Sequence, residues 1–412
     1  MLGALTGLNG LNYLDRYVAA ATLPLILAGL SISDAQGGLL QSLFITVYAL
    51  VCPLAGWFGD RNPRLRLAAI GVFVWSAATF ASGLAPTYAW LLLARAIIGA
   101  GEASYSVVTP SLISDCYAPD RRARVLSIFY AAIPIGSALG YIVGAKIGAA
   151  YGWRHAFYVA GAPGAVLAFI LLLLVEPRRG AMDPPGAAAP MAQGLGSGLR
   201  ELWRRRSYLV NTVAQIIYTF AMGGLATWMP TYFVRERHLG LDEAGTTFGL
   251  ILVVAGFLGT LAGGRIASIV AKRRPGADFT VSGWSLVASL PFTCLAVLAP
   301  QPMVFWPAMF VTLVLLFFNI GPLNAAMANV LPAELRARGF AVTTMLIHLL
   351  GDAASPTIIG AASDHLGGLR LPVLAAGCLL TVSGLVLLLW RQTLVRDLSA
   401  AGGVHAAAVA AH

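Results

Sequence analysis

The feature that most constrains this chain is a succession of long apolar segments separated by short polar breaks. Each is about 20 residues, the length of helix that crosses the hydrocarbon core of a bilayer. Twelve can be read: about 7–30, 35–58, 66–85, 88–114, 124–150 and 154–175, then 208–233, 244–270, 278–299, 302–328, 339–364 and 370–391. Composition agrees, with 58% hydrophobic and only 11% charged residues, against about 25% charged in soluble domains. Inside a bilayer the backbone must satisfy its own polar groups, so segments of this length are helices. The expected fold class is an all-α membrane protein of twelve transmembrane helices.

The formal net charge of +10 is unevenly spread. Basic residues gather in alternate loops, at Arg61, Arg64 and Arg66, at Arg121, Arg122 and Arg124, from Arg178 to Arg206, from Arg265 to Arg274, at Arg336 and Arg338, and at Arg391 and Arg396. The intervening loops hold only Lys146, Arg154, Arg235, Arg237 and Arg370. This asymmetry places both termini in the cytoplasm. No single basic patch stands outside these loops, so a nucleic-acid partner is not expected. Cys52, Cys116, Cys294 and Cys378 are scattered without metal or disulfide spacing and read as small apolar fillers.

Between spans six and seven lies a Pro-, Gly- and Ala-rich stretch, Glu176 to Arg206, that reads as a flexible linker. Its last part, Gly198 to Arg206, has the composition of a short basic surface helix. The expected organisation is a six-helix bundle over 1–175, a cytoplasmic linker over 176–207, a second six-helix bundle over 208–395 and a flexible tail over 396–412. The halves echo each other. APDRRARVLS (Ala118 to Ser127) enters span five and PAELRARGFA (Pro332 to Ala341) enters span eleven. GWFGDRNPRLR (Gly56 to Arg66) follows span two and GRIASIVAKRR (Gly264 to Arg274) follows span eight. Duplicated halves with a site between them near the midplane mark secondary transporters.

The spacing of Gly56, Asp60, Arg61, Arg64 and Arg66 resembles the loop signature between spans two and three of the major facilitator superfamily, with Pro63 where a second glycine is usual. The resemblance implies two pseudo-symmetric six-helix bundles. It also implies a cytoplasmic gate in which Asp60, supported by Arg61, latches the outward-facing state. Gly56 and Arg64 belong to the same signature. Plain anchoring of positive charge at the membrane surface is the alternative for the arginines.

Charged residues also lie inside the spans, where they are costly and default to function. Span one reads LNYLDRY (Leu11 to Tyr17), span four carries Arg95 and Glu102, and span eleven carries His348 and Asp352. Counting at roughly 1.5 Å per residue puts Asp15 and Glu102 at one depth near the midplane. Asp15 and Arg16 diverge by about 100° on a helix, so each needs a partner elsewhere. The simplest scheme pairs Arg16 with Glu102 and lets Asp15 reach toward Arg95. A structural tie between spans one and four is the rival reading. His348 and Asp352, at i and i+4, are neighbours. Asn12, Tyr13, Tyr105, Tyr130 and Asn319 could line a cavity or act as interhelical glue. Gly136, Gly140, Gly144 and Gly148 form a smooth stripe on span five, and Gly256, Gly259, Gly263 and Gly264 crowd span eight.

LNYLDRY, GAGEASYSVVTPSLISD (Gly99 to Asp115), RRARVLSIFYAAIPIGSALGYIVG (Arg121 to Gly144) and HLLGDAASPTIIGAASD (His348 to Asp364) together resemble the Spinster family. That resemblance implies a secondary active transporter working by alternating access, proton-coupled, that moves a lysophospholipid or sphingosine-phosphate-like lipid. Asp15 and Glu102 are then expected to carry the proton. Arg16, Arg95, Asn12, Tyr13, Tyr130, His348 and Asp352 are expected to bind substrate. A carrier or drug/proton antiporter for another small organic molecule is the alternative. No enzyme is expected: there is no HExxH, GxSxG or P-loop string, and His348 to Asp352 is one residue short of an H-x4-D acyltransferase signature. No cofactor beyond a coupling proton is expected. The expected state is a monomer in a cell membrane, the inner one for a bacterial protein, which the Ala/Gly/Arg-rich usage fits.

Overall fold

A computed structural model describes residues 1–182, 201–331 and 333–399. The middle of the expected linker, the start of its basic helix and most of the expected tail lie outside the described residues. Six helices come first: α1 (Leu2–Leu30), α2 (Asp34–Arg61), α3 (Arg64–Gly83), α4 (Tyr88–Cys116), α5 (Pro119–Tyr151) and α6 (Trp153–Leu172). Then follow α7 (Arg206–Glu236), α8 (Leu241–Ala271) and α9 (Ala277–Leu298). The tenth span is divided into α10 (Pro302–Phe317) and α11 (Ile320–Val330). The eleventh is divided into α12 (Ala333–Leu346), a π-helical turn (Ile347–Asp352) and α13 (Ser355–Leu366). α14 (Arg370–Leu389) closes the set. Twelve of these stretches are long and apolar enough to cross a membrane.

Local chemistry sets the ends. Ser33 and Gln36 form a capping box at the start of α2. Thr87 accepts from Trp90 N–H at the start of α4. α5 opens on Pro119, where a missing N–H costs nothing. α2, α4, α5, α7 and α8 run past the apolar segments read from sequence into flanking polar residues that remain helical, whereas α3, α6 and α14 end at Gly83, Leu172 and Leu389, short of theirs. The sequence offers a local break in span eleven near Pro356 with Asp352 as its cap; the break is there, while Asp352 pairs with His348 and α13 has no side-chain cap. Pro356 removes a backbone donor and crowds the carbonyl four residues earlier, and the preceding turn widens into the π geometry.

The chain forms two compact units. One holds α1–α6 together with Gly224–Val253 and Ala353–Pro372; the other holds α7 as far as Gly223, Val254–Asp352 and the residues from Val373. In the first unit α1 lies flat against α5 through the glycine stripe. A Cβ at Gly136 would stand 2.2 Å from the Gly10 carbonyl oxygen, one at Gly140 2.5 Å from that of Leu14, and one at Gly144 2.9 Å from Ala21 Cβ. Small residues let transmembrane backbones approach where no hydrophobic force drives them together. In the second unit Gly259 and Gly263 press on Val314 and Phe318 in the same way, whereas Gly264 faces open space.

Gly136→Ala should lower the thermal midpoint of the purified protein, since overpacking costs about 1–3 kcal/mol. Gly7→Ala, with nothing within 4 Å of the added carbon, should leave it unchanged or slightly raised. Thermal unfolding of the two variants in one detergent distinguishes them.

Candidate functional site

Two glycine contacts bring the charged face of α4 to its neighbours. A Cβ at Gly99 would lie 2.4 Å from the Phe44 carbonyl oxygen on α2, and one at Gly101 2.8 Å from the Gly71 carbonyl oxygen on α3. Glu102 follows immediately and is fully buried. Across from it, α1 presents Arg16, whose Nε donates to Glu102 Oε2 at 2.6 Å. The guanidinium is ringed by aromatic faces, with Tyr13 at 4.8 Å, Phe44 at 5.3 Å and Tyr48 at 4.6 Å from their ring centroids. Such faces hold a cation without removing its hydrogen-bond donors.

The other expected pair, Asp15 with Arg95, does not form. Asp15 points away from Arg16 toward α3 and accepts from Thr79 Oγ1 at 3.3 Å. Arg95 turns to α2: Nη2 donates to Gln41 Oε1 at 2.6 Å, Nε to the Leu40 carbonyl at 3.4 Å, and the guanidinium covers the Phe44 ring at 4.4 Å. The angular divergence of residues 15 and 16 therefore carries them to different helices, as expected, but α2 intercepts Arg95 before Asp15 can reach it. Phe44 touches both arginines and separates them.

The cluster keeps unused valence. Among the described residues, Asp15 Oδ1, Glu102 Oε1 and Arg95 Nη1 have no hydrogen-bond partner, although Asp15, Glu102 and Arg95 are all but fully buried. Asn12 is likewise fully buried. A pocket opens beside Arg95, lined by Leu23, Leu40, Gln41, Leu91, Phe157 and Thr227. Its walls are apolar apart from Arg95, Gln41 and Thr227.

The remaining candidates are dispersed. Tyr13 is half-buried against Arg16. Tyr130 is 47% exposed and packs edge-on to Phe129, outside the charge cluster. Tyr105 donates to the Leu5 carbonyl and so joins α4 to α1, whereas Asn319 donates to the Leu316 carbonyl within its own span. In the second unit His348 Nδ1 stands 3.1 Å from both carboxylate oxygens of Asp352, on the π-helical turn. Gln41, Phe44, Tyr48 and Thr79 belong to the cluster and escaped the sequence reading. Gln41 is the one that carried a signal, as an amide inside an otherwise apolar segment.

The loop signature divides into two roles. Asp60 is exposed, and Arg61 lies back on its own helix, over Trp57 at 4.2 Å; Gly56 meets only Val107 at ordinary contact distance. Arg64 is buried. Its Nη1 donates to Asp115 Oδ2 at 2.6 Å and its Nε to Glu176 Oε1 at 3.3 Å. Glu176 also accepts from the backbone N–H groups of Arg64 and Leu65, and Arg179 donates to the carbonyls of Gly59 and Asn62. Glu176–Gly180, expected to begin a flexible linker, is thus docked over the α2–α3 turn, and Arg64 is a tie inside the first unit.

The profile of the Major Facilitator Superfamily matches residues 5–356. Protein spinster homolog 1 of Bos taurus is 36% identical over 89% of this chain and 73% of its own length. The sphingosine-1-phosphate transporter of Danio rerio is 34% identical over 88% and 76%. The chain belongs to the Spinster family of the major facilitator superfamily. A bacterial homolog of the human lysosomal transporter Spinster, solved inward-facing and unoccupied, superposes with a TM-score of 0.88 at 24% identity, covering 96% of this chain and 97% of its own. The shared architecture is the major facilitator fold, two pseudo-symmetric sets of six helices. Like its Spinster relatives, this chain is a transporter and a multi-pass membrane protein.

Removing one partner from a buried ionic network costs about 3–5 kcal/mol. Arg64→Leu should therefore lower the thermal midpoint markedly, whereas Arg61→Ala, on an exposed side chain, should shift it little. Melting curves of both variants check the assignment.

Proposed function

We propose that this protein is a proton-coupled secondary transporter for an amphipathic lipid with an anionic head, of the lysophospholipid or sphingosine-phosphate kind. The observation that carries the reading is the Arg16–Glu102 pair buried beside a second arginine with an unused donor. Charge-assisted bonds from an arginine suit a phosphate or carboxylate. The named activity of the sphingosine-1-phosphate relatives supports the lipid class.

In this mechanism Glu102 occupies Arg16 in the resting state. A proton on Glu102 cancels the carboxylate charge and frees Arg16 for the headgroup, and Arg95 supplies the second cation. Asp15, next to Arg16 in the chain but turned to α3, where it accepts from the Thr79 hydroxyl, is the second proton acceptor. Asn12 and Tyr13 border the cluster. Tyr130, and the His348–Asp352 pair of the second unit, are proposed to meet the substrate at other stages. Rocking of two six-helix halves, 1–175 and 208–395, exposes the cluster alternately to each side. Asp60 acts at the cytoplasmic end in the opposite state. The protein works as a monomer with its arginine-rich loops in the cytoplasm, and a proton is its only coupling agent.

Proteoliposomes loaded with lysophosphatidic acid or sphingosine-1-phosphate test this. Wild-type flux should rise with an imposed pH gradient. Asp15→Asn and Glu102→Gln should each lose that stimulation and fall by about tenfold or more, the scale of one lost charge-assisted interaction. Flux that is undiminished and indifferent to pH in both variants would end the proposal.

A further inference from the structure

One face of α2 carries Asp34, Gly38 and Ser42 at successive i+4 positions. Within the first unit this face meets α13 and the end of α7. Ser42 Oγ lies 2.7 Å from Thr357 Oγ1. One turn nearer the start of α2, a Cβ at Gly38 would stand 2.2 Å from the Pro356 carbonyl oxygen, which also accepts from Trp228 Nε1 at 2.8 Å. At the end, a Cβ at Gly360 would stand 2.3 Å from the Asp34 carbonyl oxygen. The glycines let the two backbones touch, and the polar residues join them.

The ionic end of this seam is reciprocal. Asp364 on α13 accepts from the backbone N–H groups of Asp34 and Ala35, both at 2.9 Å. These are orphan donors at the start of α2, where the helix dipole favours a negative charge. Asp34 in turn accepts from Ser363 Oγ at 2.7 Å and from Arg235 Nη1 at 2.6 Å. Three helices, α2, α7 and α13, are therefore tied at one carboxylate. The seam lies at the end of the helices whose loops are poor in arginine. The α2 residues just inside it, Gly37, Leu40 and Gln41, line the pocket beside Arg95, as does Thr227 of α7.

We propose that Asp34, Arg235, Ser363 and Asp364, with the glycine contact at Gly38 and Gly360, form a latch that closes the arginine-poor end of the protein over the Arg95 pocket. It must release for the pocket to be reached from that side. The latch holds α13, the half of span eleven beyond the π-helical turn, against α2, and the break in span eleven leaves α13 to move as a short separate helix. This rests on the alternating-access reading above, and names the residues that govern one of its two states.

The test uses the full chain with Cys52, Cys116, Cys294 and Cys378 replaced by serine and Thr227→Cys as a reporter in the pocket. In sealed vesicles a membrane-impermeant maleimide is applied from the arginine-poor side. Asp34→Asn, Asp364→Asn and Gly360→Ala should each raise the labelling rate by about tenfold, the scale of a lost hydrogen bond to a charged group. Rates equal to the parent in all three would overturn the latch. In a separate variant, Ser42→Cys with Thr357→Cys on the same background should form a disulfide on oxidation. That should stop pH-driven lysophosphatidic acid flux, and reduction should restore it; flux unaffected by the closed disulfide would also overturn the latch. If the parent moves no lipid at all, the cargo assignment fails while the labelling comparison still decides the latch.

Discussion

A charge placed in hydrocarbon must be answered by another group of the same protein, and the first unit is arranged around that requirement. Arg16 is answered by Glu102 at 2.6 Å and by three aromatic faces. This pair ties α1 to α4. The desolvation of such a pair offsets much of its attraction, so a buried ion pair is weak evidence for stability alone. In the mechanism proposed above, its value is that a proton or an anion would change which partner the arginine prefers.

Neighbouring groups are left less completely answered. Arg95 is held by an amide and a carbonyl, and Asp15 by one hydroxyl, each with a further atom unpaired. Neutral partners satisfy geometry without cancelling charge. α2 connects these features. Its Gln41 and Phe44 position the arginines, while its first turn carries the ionic node with α7 and α13. A displacement of α2 would alter the pocket and the seam together, because both are built on the same rigid helix.

The loop between α2 and α3 shows how a motif can contain two jobs. Its exposed carboxylate, Asp60, is free of the buried network, whereas Arg64 joins α3, α4 and the residues after α6. Spacing alone could not separate them, since both lie in one short basic run. Burial separates them: a guanidinium at 5% exposure with two carboxylates is part of the framework.

Most of the fold was legible in the sequence, because the bilayer admits few solutions. Segment length and apolarity dictated twelve helices, glycine periodicity marked one face of α5 for close packing, and the angular offset of Asp15 and Arg16 required separate partners. Of the simplest pairing scheme, Arg16 with Glu102 formed and Asp15 with Arg95 did not. What tertiary structure alone decided is which helix intervenes. Nothing in the order of residues says that Gln41 and Phe44 of α2 would engage Arg95 while Asp15 turns to Thr79 of α3, or that Asp364 would cap the start of α2. Those outcomes depend on lateral packing of helices remote in sequence, set by glycine contacts whose partners lie on other segments, and periodicity along one helix carries no information about its neighbour.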